Sequence, residues 1–317
     1  MTGSFASPLA SDLEAFIAFQ RARGYRYERA EFTLRSFDRF WDAQCRRRKP
    51  PPLDVAILAW LGSRPSRQAI STAQDLAVIR TFWAYLRRRH PQRYRRDPAW
   101  PHLRRVSSFV PFVLTAAQIR VVLRLIAGLG GYPSTLYRAL FLLLYCTGLR
   151  FGEALRLRVR DVDLRGGVVF IADSKGRSRW VPFHSSLGRE LAKYRHQRRA
   201  FASEGPNEPY FVRADRSALS IHAASETLRV IYRRAGLKPE RGRHGPRPYD
   251  LRHTFAVHRL TRWYRQGVDL HARLPWLSAY MGHVDLLGTE TYLTATPELL
   301  ALVGHRFRRR YSGGRRP

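Results

Sequence analysis

The 317-residue sequence is poor in acid: 24 Asp and Glu stand against 57 Lys and Arg, a formal net charge of +33. That imbalance points to a polyanionic partner, with nucleic acid first. A G- and C-rich genome would spell lysine as arginine, but it would not produce the excess of base over acid. Cysteine is nearly absent. Cys45 and Cys146 stand alone, outside any CxxC pair and away from histidine at zinc spacing, so the thiols are expected free and buried in a reducing cytosol. Long apolar runs are missing too. The longest, residues 139–146, falls far short of the ~20 residues that cross a bilayer, and Met1 to Ala10 lack a signal-peptide pattern. A cytoplasmic protein that engages no membrane is expected. Metal chemistry finds little support. Asp161, Asp163 and Asp173 have no well-placed glutamate partner, His253 and His258 lie five apart, and no HExxH occurs. Neither a cofactor nor a metal is expected.

What remains is enough to build two domains. Hydrophobic residues make up 44% of the chain, and a domain commonly takes ~100–200 residues. Helical spacing predicts helices over residues 8–22, 29–45, 53–61 and 68–89. Leu13, Phe16, Phe37, Trp41, Ile79, Phe82 and Leu86 form their inward stripes. Residues 1–93 are therefore expected to form a helical bundle. Residues 94–111 are rich in arginine, broken by Pro98, Pro101 and Pro111, and lack periodicity, so they read as a basic linker crossing something anionic.

Residues 112–317 read as a second, mostly α domain with a small antiparallel sheet. Thr115 is expected to cap a helix ending near Gly128. An apolar helix spans 135–146, Gly148 breaks it, and 151–157 resumes it. Residues 168–172 and 179–183 have strand composition and flank a hairpin turn at 173–177. Helices are predicted at 185–202, 221–235, 249–264, 272–281 and 298–304, followed by a basic tail.

The densest stretch is Tyr249-Asp250-Leu251-Arg252-His253-Thr254-Phe255-Ala256. On a helix, Tyr249, Arg252 and His253 share one face. Gly245-Pro246-Arg247-Pro248 introduces that helix, so the trio is expected in its first turn, where dipole and open N–H groups suit a phosphate. Arg150 follows the break at Gly148, and Glu153, three residues on, can orient its guanidinium. Two positioned arginines can hold both non-bridging oxygens of one phosphate. Singly, these residues are weak signals: Lys175 on a turn is ordinarily solvated, His283 ordinarily structural, and Tyr292 is one of 15 tyrosines.

Their order carries more. Thr147-Gly148-Leu149-Arg150, Lys175, Tyr249-Asp250-Leu251-Arg252, Met281-Gly282-His283 and, nine residues after that histidine, Tyr292 resemble the tyrosine site-specific recombinases, the phage integrase family. The resemblance implies a helical core-binding domain joined to an integrase-type catalytic domain, closing on double-stranded DNA. It implies Tyr292 as nucleophile, forming a 3′-phosphotyrosine. Arg150, Arg252 and His283 would hold the phosphate, and Lys175 would protonate the leaving 5′-oxygen. It further implies four copies acting on two DNA sites, with other recombinases of the same element as further partners. The tail set Leu299, Leu300, Leu302 and Val303 would dock on a neighbouring copy. Tyr249 departs from the pattern, which usually has histidine there; a phenol hydrogen-bonds but is a poorer base at neutral pH.

Overall fold

The computed structural model describes residues 4–65, 67–95, 97–101, 111–174, 177–242 and 244–283. The chain forms two compact units, Met1–Phe109 and Val110–Pro317. The fold is mainly α with one small antiparallel sheet. Among the described residues, no helix is long and apolar enough to cross a membrane.

The first unit holds α1 (Ala10–Ala22), α2 (Glu28–Cys45), α3 (Leu53–Gly62) and α4 (Ala69–Arg89). Each begins or ends where the chain chemistry requires. Gly24 turns at φ 86° after α1, a left-handed conformation that glycine takes without strain. Pro50 to Pro52 separate α2 from α3. The inward stripes meet as expected: Phe16 packs on Phe82 at 5.2 Å, and Phe37 meets Trp60 edge-on at 5.4 Å. Among the described residues of this unit, two carboxylates are buried, Asp38 and Asp75. Asp75 of α4 pairs with Arg67 at 2.7 Å and Arg64 at 3.3 Å, and accepts from Thr33 Oγ1 of α2 at 3.1 Å. A buried charge needs such partners.

Tyr94 and Trp100, read from composition as part of a linker, pack instead on this unit. The Tyr94 and Trp100 rings stand edge-on to Trp83 at 5.3 and 5.9 Å. Aromatics spaced between prolines bury area without any helical period, so periodicity does not reveal them.

The second unit begins with α5 (Ala116–Ala127). Thr115 caps it: its hydroxyl accepts from Gln118 N at 3.2 Å, and Gln118 Oε1 accepts from Thr115 N at 2.8 Å. Helix α6 (Gly131–Thr147) starts earlier than its apolar run, because Gly130 and Gly131 at φ 67° and 48° turn the chain directly into it. After α7 (Phe151–Leu155) come β1 (Val162–Asp163), β2 (Val168–Ser174) and β3 (Arg177–Pro182), antiparallel in the order β1-β2-β3. Val169 pairs with Val181 and Phe170 with Trp180, and Val169, Ile171 and Val181 face the core. Both hairpin strands reach further than expected, through Ser174 and from Arg177. The two-residue β1 is too short to show alternation.

Among the described residues, four helices follow: α8 (Ser185–Arg198), α9 (Ile221–Arg234), α10 (Asp250–Arg265) and α11 (Leu270–Met281). α8 stops short of residue 202 because the chain wraps the buried Arg198 guanidinium. Carbonyls of Ser203, Pro209 and Tyr210 accept from it at 2.7, 2.7 and 3.0 Å. α11 opens ahead of residue 272, on Asp269, whose carboxylate accepts from His271 N at 2.8 Å. The helix expected at 298–304 lies outside the described residues. Neither thiol is fully buried, contrary to expectation: Cys45 is half-buried and Cys146 exposed.

Candidate active site

Arg252 sits in the first turn of α10 but is not on the surface; only 2% of it is exposed. Its guanidinium donates from Nη1 to the Gly148 carbonyl at 2.7 Å and from Nη2 to the Met281 carbonyl at 2.8 Å. It thereby ties the α6–α7 turn to the end of α11. Arg150, the residue before α7, donates from Nη2 to the Gly282 carbonyl at 2.8 Å. Arg179, on β3, donates from Nε to the Tyr280 carbonyl at 3.1 Å. Three successive carbonyls at the C-terminal end of α11 thus each receive one arginine, from three different elements. A helix leaves its last carbonyls without intrahelical partners, and the helix dipole makes that end negative. The arrangement meets both needs with guanidinium.

Glu153 completes the cluster. Its carboxylate, 3% exposed, accepts from Arg150 N and Nη1 at 2.9 and 2.6 Å. It also accepts from Arg179 Nη1 and Nη2 at 3.2 and 2.8 Å. The i+3 carboxylate therefore orients Arg150 as its spacing predicts.

Two glycines allow this close approach. Gly148 ends α6 at φ 63°, and a Cβ there would lie 2.3 Å from Phe255 Cδ1. Gly282 ends α11 at φ 69°, with Gly282 N donating to Ala279 O and His283 N to Ser278 O, both at 3.0 Å. That is the Schellman pattern, and it sets the position of His283 one residue past the turn. Gly148→Ala is expected to cost about 2–4 kcal/mol, combining a left-handed alanine with an overpacked contact. Thermal melting checks this. Gly62, where a Cβ meets nothing within 4 Å, is the control, and equal melting of Gly148→Ala and Gly62→Ala would contradict the packing described.

Tyr249 stands one position earlier than expected, as the N-cap of α10 rather than within its first turn. It is 44% exposed, with its ring centroid 6.0 Å from that of His253. Burial, then the Arg247 and Arg252 charges, lower the His253 pKa against an opposing pull from Asp250. Lys175 and Tyr292 lie outside the described residues. The described site residues Arg150, Arg252 and His283 come together at the α11 end. Asp161 and Asp163 of the metal alternative do not join them: Asp161 accepts from Arg158 N at 2.8 Å, and Asp163 from Arg165 and Gly166 N at 2.9 Å each. They shape local turns. His258 Nδ1 lies 3.1 Å from the Tyr145 hydroxyl.

Arg179 is the residue that sequence reading missed. Its signal is the period-two pattern of β3: Arg179 shares a face with the fully buried Val181. An arginine on the inward face of a strand requires hydrogen-bond acceptors there.

Comparison with known proteins decides the class. The profile of the phage integrase family matches residues 113–298, more than half of the chain. The chain belongs to the phage integrase family. This integrase-family chain is 32% identical over 317 aligned residues to the integrase/recombinase y4rB of Sinorhizobium fredii, covering 94% of this chain and 96% of that protein. To the tyrosine recombinase XerC of Lactobacillus leichmannii it is 27% identical, covering 80% and 79%. Two solved structures show the same fold. One is the Tn1549 transposon integrase in complex with transposon right end DNA (TM-score 0.67, 16% identity, 95% and 98% covered). The other is the XerH site-specific recombinase in a post-cleavage complex with palindromic difH (TM-score 0.66, 17% identity, 88% and 79% covered). The integrase-family chain is thus an enzyme of the tyrosine recombinase class.

Proposed function

We propose that this recombinase cuts and rejoins duplex DNA at a specific site through a 3′-phosphotyrosine at Tyr292. The observation that carries the reading is the joint anchoring of Arg150, Arg252 and the His283 backbone at one helix end. Fixed donors of this kind stabilise charge that gathers on a phosphate in the transition state without reorganising. The Tyr292 oxygen gives up its proton to solvent and forms the new bond to phosphorus, the bond from phosphorus to the 5′-oxygen breaks, and Lys175 protonates the leaving oxygen. The phosphodiester's energy stays in the phosphotyrosine, so a 5′-hydroxyl from a partner strand reverses the step without ATP. Tyr249, exposed beside His253, adds a neutral hydrogen bond to the same phosphate.

Four copies on two duplexes carry out the exchange, with further recombinases of the same element as candidate partners and the 298–304 segment docking on a neighbouring copy. We assign the enzyme to a mobile element. Its fold likeness to a transposon integrase supports this, as does the loss of the usual histidine at position 249. The second reading is a DNA-binding protein of the same fold without chemistry.

The test uses a nicked suicide duplex made from the DNA that flanks the gene, incubated in EDTA. A covalent protein–DNA adduct is expected. A shifted complex with no adduct would support the non-catalytic reading. An adduct that forms only after magnesium is restored would return the carboxylates to the reaction.

A further inference from the structure

Arg179 belongs to none of the roles above, yet every nitrogen of its guanidinium is engaged at the site. Nη1 and Nη2 meet the two oxygens of Glu153, and Nε meets the Tyr280 carbonyl. Its side chain is 12% exposed. The guanidinium lies flat on the turn at Gly282, where a Cβ would stand 2.7–2.9 Å from its atoms. One arginine therefore joins the hairpin, the carboxylate that orients Arg150, and the helix end that leads into His283.

The charge balance gives this geometry a consequence. Glu153 is a buried anion. Paired with Arg150 alone, it would cancel that arginine's charge and hold it in a tight ion pair. Arg179 places a second cation on the same carboxylate, so the Arg150–Glu153–Arg179 group keeps a net positive charge. An arginine that stabilises a phosphate transition state works through that charge. A carboxylate that orients Arg150 without a second cation would gain geometry at the expense of electrostatics.

We propose that Arg179 is a positioning residue. It acts as the counter-ion of Glu153, leaving the charge of Arg150 to act on the scissile phosphate. This rests on the reading of Arg150 as a phosphate clamp.

The test compares wild type, Arg179→Gln and Arg179→Lys on two suicide duplexes. One has an ordinary scissile phosphate, the other a neutral methylphosphonate at that position. On the phosphate substrate, Arg179→Gln is expected to slow adduct formation by about 10–100-fold at saturating DNA, somewhat less than direct loss of a transition-state donor. DNA affinity should change less than twofold. On the methylphosphonate, which carries one negative charge fewer, the gap to wild type should shrink at least tenfold. An Arg179→Gln defect of equal size on both substrates would mean a merely structural role and overturns the proposal. Arg179→Lys keeps the charge and is expected to lose less than tenfold on the phosphate substrate. It also serves if the glutamine variant does not fold. A folded Arg179→Lys protein that loses more than tenfold overturns the proposal as well. Wild type that forms no adduct counts against the proposed function; wild type that does, beside an equally active Arg179→Gln, counts against Arg179 alone.

Discussion

Tyr292→Phe is expected to bind its DNA site with unchanged affinity and to form no covalent adduct. The substitution removes one hydroxyl and keeps the ring, so packing and DNA contacts stay while the attacking oxygen is lost. No other group replaces it, because covalent catalysis depends on that one nucleophile. The effect is therefore abolition rather than slowing. Gel-shift affinity and adduct formation on a suicide duplex, measured side by side, check it. A variant that still becomes trapped on DNA would place the nucleophile elsewhere in the chain. A variant that no longer binds would show that Tyr292 holds the fold.

Arg150→Lys should be the next most damaging change. Arg150 donates in two directions at once, to Glu153 Oε1 and to the Gly282 carbonyl. A planar guanidinium spans those acceptors; an ammonium on a flexible stem is a point charge without the fork. The variant keeps its charge and loses its aim. Losing one oriented transition-state donor costs about 10²–10³ in rate, and cleavage is expected to fall on that scale. Binding should hardly move, because affinity for DNA is dominated by many phosphate contacts across the surface. Single-turnover cleavage at saturating DNA is the measurement. Equal rates for wild type and variant would remove Arg150 from the reaction.

Helical spacing made α1 to α4 legible nearly to the residue, because their apolar stripes face one core and their ends carry glycine and proline. The same logic located α5, α9 and α10. It failed where tertiary contacts decide. α8 ends where carbonyls from residues 203–210 collect around Arg198, and no local pattern announces that. Tyr94 and Trp100 joined the first core through isolated aromatics rather than periodicity. β1 is too short to alternate.

At the site, motif order brought Arg150, Arg252 and His283 together, and the spacing of Glu153 foretold its bond to Arg150. What binds them is long-range and escaped notice: Arg252 reaches the carbonyls of Gly148 and Met281, and Arg179 crosses from the hairpin to α11. Backbone carbonyls carry no mark in a sequence, so a cluster built around three of them can be inferred only from side chains that face inward without a stated partner. Arg179 on the inward face of β3 was such a side chain.

Transesterification by Tyr292 is tested most directly by mapping the protein–DNA bond itself. The adduct trapped on a suicide duplex is digested with trypsin and nuclease, and the modified peptide is sequenced by mass spectrometry. The phosphate is expected on Tyr292, attached through the 3′ end of the cleaved strand, with a free 5′-hydroxyl released. A phosphate on any other residue, or a linkage to the 5′ end, would contradict it.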